Sequence, residues 1–180
     1  MMRWLLWILA GVLLGGIVHL ATILALPRTA SQDAYARLAP ITPVNAMTPI
    51  PAPTPANALL PFMDPAFAVA VCRYDLSAGP MKFTAPVSQA YTSVTFYTRY
   101  GVAYYGINDR AAGRRLIELD LMTTPQRDAL PEEEDVTAAD RLIIESPTLT
   151  GLIVVRALSP EPGLMPMAQA SLTGARCRTQ

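Results

Sequence analysis

An uncharged N-terminal run constrains the fold of this chain more than any other feature. It extends from Trp4 to Leu26 and contains 23 residues, whereas about 20 apolar residues cross the hydrocarbon core of a bilayer as a helix. We therefore predict a single transmembrane anchor over residues 1–27. The chain that remains after this anchor and a proline-rich run is long enough for one domain with a modest core.

The residues beside this run bear on its orientation. Arg3 precedes it, and Arg28 and Arg37 follow it, so the positive-inside signal is weak. A short charged start before an apolar run is also typical of an export signal, but residues 24–28 offer no small-x-small cleavage site. We expect an uncleaved signal-anchor with a cytoplasmic N-terminus. The C-terminal domain would then lie outside the cytoplasm.

Small and polar residues recur within the anchor. Gly11, Gly15 and His19 are spaced by four residues, and small residues at this spacing let a second helix approach closely. A polar side chain in lipid also favours a partner that can hydrogen-bond to it. The pattern indicates a membrane-helix contact. The alternative is that glycine is simply common in membrane helices and that His19 reaches the headgroup region.

A proline-rich stretch follows the anchor. Residues 40–61 contain seven prolines and no charged residue, a composition typical of an extended spacer of roughly 3 Å per residue. We assign residues 28–63 to a linker. The alternative is that the stretch lies against the domain as an ordered extended segment, because its large apolar residues need burial. These residues are Ile50, Leu59, Leu60 and Phe62.

Residues 64–180 carry strand patterns at roughly ten-residue spacing, as in all-β domains. The clearest pattern is Tyr91 to Tyr97, where apolar and hydroxyl-bearing side chains alternate. Strands are predicted over residues 67–74, 81–84, 91–97, 102–107, 116–121, 141–145 and 151–157. A helix is predicted to start near Ser159, with one face formed by Leu164, Met167, Ala168, Ser171 and Leu172. The fold class is therefore a β-dominated domain, an antiparallel sandwich or barrel, with a C-terminal helix.

Two cysteines, Cys72 and Cys177, lie in the part of the chain placed outside the cytoplasm. An oxidising compartment permits a disulfide between them. Such a bond would tie the C-terminal tail to an early strand and contribute roughly 4–5 kcal/mol in the chain-entropy model. The alternative is two unpaired thiols.

Composition and motifs exclude several functions. Lysine plus arginine equals aspartate plus glutamate at 14 each, so bulk charge gives no case for nucleic acid. The only histidine lies in the anchor, which excludes a histidine-based triad or metal site in the domain. No glycine-rich phosphate loop occurs, and the acidic run at residues 131–135 is typical of a solvated loop. We expect no cofactor and no metal.

Tyrosine and arginine side chains form the remaining candidate site. Aromatic faces stack on ligands, and the arginine fork binds anions, so these side chains could line a pocket for a sugar, peptide or lipid headgroup. The candidate ligand-binding residues are Tyr91, Tyr97, Arg99, Asn108, Asp109 and Arg110. The alternative is that the tyrosines cover a half-buried sheet, for which they have high propensity.

Several of these residues belong to a pattern with a family resemblance. The pattern comprises Asp75-Leu76-Ser77, Gly79-Pro80, Pro86, Tyr91, Ser93-Val94, Phe96-Tyr97, Gly101, Asn108-Asp109-Arg110 and Gly113. It resembles the core of the bacterial envelope proteins catalogued as domain of unknown function 1254. The resemblance implies a β-rich fold and an envelope location, in a short membrane-anchored form without the second domain of longer members. It implies no catalytic residue.

Three functional hypotheses follow. The first is a membrane-anchored periplasmic binding or accessory module of an envelope assembly, with a partner bound through the helix or the tyrosine-rich sheet. The second is an envelope enzyme that acts on a glycan or lipid, which requires Tyr97, Asn108, Asp109 and Arg110 to converge in a concave pocket. The third is a structural subunit whose membrane helix carries the function.

Overall fold

The computed structural model describes residues 2–30, 33–54, 56, 58–112, 115–130 and 142–180. The chain divides into two compact units, Met1–Asp33 and Ala34–Gln180. The predicted strand start at Arg141 and the acidic run at residues 131–135 fall outside the described residues.

The first unit is one long helix, α1, over Met2–Thr29. At 1.5 Å per residue its 28 residues span roughly 42 Å, and the helix is long and apolar enough to cross a membrane. The Thr22 hydroxyl donates to the Val18 carbonyl at 2.9 Å, so the helix backbone satisfies this polar group. An export signal near an N-terminus has the same length and composition.

The second unit is a β-sandwich. Its five-stranded sheet has the order β1-β2-β8-β4-β5, and its four-stranded sheet has the order β7-β6-β3-β9. The strands are β1 Met47–Ile50, β2 Phe67–Asp75, β3 Met81–Pro86, β4 Thr92–Thr98, β5 Ala103–Asn108, β6 Leu116–Met122, β7 Leu142–Glu145, β8 Thr150–Leu158 and β9 Arg176–Thr179. The helices are α2 Ala34–Leu38, α3 Asp109–Ala112, α4 Thr124–Asp128 and α5 Met165–Leu172, the last preceded by a 3-10 turn at Pro162–Leu164. The predicted β-dominated fold with a C-terminal helix is confirmed. The β6–β7 pair is parallel, and the other pairs between these strands are antiparallel.

The main core lies between the two sheets. Residues at alternate positions of β2 and β4 face inward, as the period of a strand requires. Phe83 of the four-stranded sheet meets Phe96 of the five-stranded sheet edge to face, with ring centroids 5.9 Å apart. Burial of such a side chain contributes about 1.5–3 kcal/mol.

A disulfide also joins the sheets. Cys72 of β2 and Cys177 of β9 are bonded, with their Cα atoms 6.6 Å apart and 105 residues between them in sequence. Both side chains are buried in the main core. The bond therefore links the central part of one sheet to an edge of the other.

A second apolar cluster lies on the opposite side of the five-stranded sheet. It contains Leu38, Ile50, Val71 and Leu152, with Leu59, Leu60 and Met63 packed against it. The compact unit thus begins at Ala34 and includes much of the segment assigned above to a linker. Of the apolar residues expected to need burial there, Phe62 is fully exposed.

Candidate functional site

The outer face of the five-stranded sheet, the face directed away from the four-stranded sheet, is the candidate site. Pairing between strands places its residues in rows across the sheet. One row runs Ile50–Val69–Arg156–Ser93–Asn108, the next runs Thr48–Val71–Val154–Thr95–Gly106, and a third runs Arg73–Leu152–Tyr97–Ala103. The β2 half of this face is apolar and the β5 half is polar.

An apolar cavity of about 340 Å³ lies over the β2 half of this face. Its floor is formed by Val69, Val71, Leu152 and Val154. Its roof comes from α2 and from residues 60–63 of the segment before β2. The sheet supplies a rigid floor, whereas residues 60–63 of the roof belong to no helix or strand.

Arg156 connects this cavity to a polar groove. The groove, about 290 Å³ in volume, lies over β4 and β5 and is lined by Tyr91, Ser93, Thr95 and Asn108. Arg156 lines both the groove and the cavity. Within the described part of the chain, its exposed guanidinium forms no hydrogen bond or ion pair. A free cation therefore lies where an apolar surface meets a polar one.

Two other residues shape the edge of the cavity. Asp64 places a carboxylate there and accepts a hydrogen bond from the Ala66 backbone amide at 2.9 Å. Phe62 adopts a positive φ of 59° and is fully exposed. This backbone conformation costs an aromatic residue of order 1–3 kcal/mol and is uncommon outside functional segments.

An arginine–tyrosine stack fixes α2 to the sheet. The guanidinium carbons of Arg73 and Arg99 lie 4.5 and 4.3 Å from the centroid of the Tyr35 ring. Arg73 also donates to the carbonyls of Ala39 and Thr42 at 3.2 and 3.1 Å. Each cation–π contact contributes about 0.5–2 kcal/mol, so this cluster holds α2, which forms part of the roof of the cavity, in place.

A buried hydroxyl cluster lies at one end of the main core. Tyr74 donates to the Tyr97 carbonyl at 3.2 Å and contacts the hydroxyls of Ser146 and Tyr104 at 2.9 and 3.2 Å. Burial, with a smaller contribution from neighbouring Tyr74, raises the pKa of Tyr104 well above its ordinary value. The phenol therefore stays protonated, which suits a structural role rather than acid–base chemistry.

A family model described as "Protein of unknown function (DUF1254)" matches residues 44–179. The chain belongs to the DUF1254 family. The matched region contains both cysteines, the strands β1 to β9 and the cavity residues other than those of α2. A comparison with curated proteins gives no match.

Two solved structures resemble this DUF1254 chain. A crystal structure of a protein from Vibrio parahaemolyticus has a TM-score of 0.59 at 12% identity, covering 81% of this chain and 34% of its own. A crystal structure of an uncharacterized protein from Burkholderia cenocepacia has a TM-score of 0.49 at 14% identity, covering 81% and 36%. The chain therefore spans about a third of the length of these proteins. The Vibrio structure shares the fold.

The structure places the predicted ligand-binding residues of this DUF1254 chain at separate positions. Tyr91 and Asn108 line the polar groove, and Tyr97 lines the apolar cavity. Arg99 stacks on Tyr35, as described above. Asp109 and the exposed Arg110 begin α3, where the Asn108 side chain accepts a hydrogen bond from the Ala111 amide at 3.1 Å.

The enzyme hypothesis required four of these residues to converge. Among the described residues, Tyr97 lines the apolar cavity and Asn108 lines the polar groove, so these two side chains lie in different cavities. Gly113, the last residue of the DUF1254 pattern, falls outside those residues. We do not carry the enzyme hypothesis further.

Sequence reasoning missed Arg156 and Asp64. The signal for Arg156 is a single arginine within an otherwise apolar strand, at a position that alternation directs away from the core. No comparable signal exists for Asp64, because its position depends on how the proline-rich segment folds back over the sheet.

Proposed function

We propose that this DUF1254 protein is a membrane-anchored binding module of a bacterial envelope, and that it binds through the outer face of its five-stranded sheet. The observation that carries the proposal is the roofed apolar cavity on that face, with Arg156 at its edge, an arginine that has no partner among the described residues. Rigid concave surfaces with a few polar groups are typical of binding sites.

The location follows from two further features. The apolar helix α1 supports a membrane anchor, and the disulfide supports an oxidising compartment. Together with the envelope resemblance, they favour an inner-membrane protein with a cytoplasmic N-terminus and the sandwich in the periplasm. A partner would join this module to an envelope assembly.

Affinity purification from gently solubilised membranes tests the proposal. Thr95→Arg places a long charged side chain on the outer face, whereas Lys82→Ala changes an exposed position of the other sheet. We expect the intact chain and Lys82→Ala to retain the same specific molecule, and Thr95→Arg to lose it. Retention by Thr95→Arg, or no specific molecule with any form, would contradict the proposal.

One additional variant separates the membrane helix from the sheet. Gly11→Ile with Gly15→Ile blocks close approach of a second helix. Within the described residues, no atom lies within 4 Å of an added Cβ at either glycine, so the change disturbs no contact there. If this variant loses the bound molecule while Thr95→Arg keeps it, the helix carries the function.

A further inference from the structure

We propose that the apolar cavity binds the acyl chain of an anionic membrane lipid, with Arg156 at the headgroup. This inference rests on the proposed function and names its ligand class. It is carried by the cavity, the unpaired cation and the exposed aromatic residue on the roof, each argued below.

The cavity suits a hydrocarbon chain. Its volume of about 340 Å³ lies within the range of ligand pockets. Its floor is four aliphatic side chains, Val69, Val71, Leu152 and Val154, and its roof adds Leu38 and Leu60. These groups offer no hydrogen bonds, so a sugar or a charged peptide would lose hydration there without compensation. An acyl chain has no hydrogen bonds to water to lose on entering the cavity.

The cation suits an anionic headgroup. The planar guanidinium of Arg156 matches the oxygens of a phosphate or carboxylate, and charge-assisted hydrogen bonds of this kind are strong. The adjoining groove supplies Tyr91, Ser93 and Asn108 for the uncharged part of a headgroup. Asp64 also lines the cavity, and in the described structure it forms no ion pair with Arg156. Its carboxylate repels an anion, which assigns the headgroup to the Arg156 end.

The roof suits contact with a membrane. Phe62 projects its ring into solvent from a strained backbone conformation, next to a cavity that it helps to line. Exposed Phe, Trp and Leu side chains are the groups that membrane-surface helices bury at the headgroup–acyl boundary. Only residues 30–33 separate α1 from α2, so an anchored chain keeps the sandwich at a high effective concentration of membrane lipid. The ligand that supplies the acyl chain is therefore a membrane lipid rather than a free fatty acid.

Photolabelling of the full chain in phosphatidylcholine vesicles tests the inference. The probes are lysophosphatidylglycerol, the corresponding monoacylglycerol and the free fatty acid, each with a diazirine at the end of the same acyl chain. We expect lysophosphatidylglycerol to label peptides from β2, β8 and residues 60–63, as located by mass spectrometry. Labelling by the fatty acid alone would overturn the membrane source.

Variants separate the two halves of the site. Arg156→Gln should lower the apparent affinity for lysophosphatidylglycerol about tenfold, which corresponds to ~1.4 kcal/mol, and leave monoacylglycerol labelling unchanged. Asp64→Asn should raise labelling by the anionic probe, and Arg178→Gln, an exposed arginine of β9 on the other sheet, should have no effect. Equal loss with Arg156→Gln and Arg178→Gln would overturn the role of Arg156.

Filling the cavity provides the remaining control. Val154→Trp should abolish acyl labelling by both glycerolipid probes, and Leu60→Arg on the roof should do the same without changing a strand. Persistence of labelling in a folded variant of either kind would overturn the inference. If acyl labelling fails but Thr95→Arg still loses a specific molecule, the ligand class is wrong and the proposed function stands; if both experiments fail, both are wrong.

Discussion

Among the glycines that the structure describes, Gly151 leaves the least room for an added Cβ. A Cβ built there meets the Tyr97 carbonyl oxygen and the Tyr74 hydroxyl, both held by the buried hydroxyl cluster. These atoms cannot withdraw without breaking hydrogen bonds in the core. A glycine at the second position of this nine-residue strand is therefore explained by close approach rather than by backbone flexibility.

Gly151→Ala should lower the free energy of unfolding by about 1–3 kcal/mol, since overpacking a tight core has this cost. Gly106→Ala is the matched control on β5, because its added Cβ would meet the Val94 carbonyl at an ordinary 3.9 Å. Urea denaturation of both variants measures the difference. Equal losses of stability in the two variants would show that the buried hydroxyl cluster shifts to accommodate the added methyl group, which contradicts the prediction.

Tyr104 gives the fold a pH dependence. Because its folded-state pKa is raised above the ordinary value of 10.0, the folded state holds its proton more tightly than the unfolded state. Its contribution is complete below about pH 10 and is lost as pH rises above it, by at most about 1.4 kcal/mol per pH unit. Denaturation between pH 9 and 11.5 should show a shallower loss in Tyr104→Phe than in the parent chain. Identical slopes would contradict this origin.

At the scale of elements, α2 and β1 extend the domain beyond its predicted start. β1 pairs with β2, and Leu38 and Ile50 bury the outer surfaces of Val71 and Leu152. Removing these two elements would expose an apolar patch and break the edge of the sheet. The segment before Asp64 is therefore part of the fold.

A chain that starts at Ala34 should fold cooperatively, whereas one that starts at Asp64 should be less stable and bind hydrophobic dyes. Thermal unfolding and dye fluorescence compare the two directly. If the two truncated chains unfold at the same temperature, the packing of α2 and β1 contributes nothing.

The elements predicted best are those whose pattern reflects burial on one face. β4 follows its alternation closely, because Val94 and Phe96 are buried in the core while the side chains between and beside them, Ser93, Thr95 and Tyr97, are only half-buried. β1 carries Pro49, and a proline is tolerated there only because the strand lies at a sheet edge. β9, Arg-Cys-Arg-Thr, has no alternation of apolar residues and is held by pairing with β3 and by the disulfide.

The C-terminal helix shows a limit of periodicity. Its predicted face is only partly buried: Ala168 and Leu172 pack into the core, whereas Met167 is 56% exposed and lines a shallow groove against residues 87–90. The candidate site shows the same limit. Arg156, Val71 and Leu60 are distant in sequence and meet only because the strand order and the folded-back segment bring them together. Local sequence patterns do not predict contacts between residues that are distant in sequence.

At the scale of the whole molecule, the disulfide reports on location. It closes a 105-residue separation and joins both sheets, and such bonds persist in oxidising compartments. Alkylation under denaturing conditions, immediately after extraction from cells, should label neither Cys72 nor Cys177 until a reductant is added. Immediate labelling of both thiols would place the domain in a reducing compartment.

The central claim is that the outer face of the five-stranded sheet binds a molecule of the envelope, and photocrosslinking in living bacteria tests it most directly. A photoreactive residue is placed in turn at the positions of Thr95 and Val154 on the outer face, and at Lys82 on the other sheet. We predict a specific lipid or protein adduct at the first two positions and none at Lys82. An adduct at Lys82 alone, or none on the outer face, would contradict the claim.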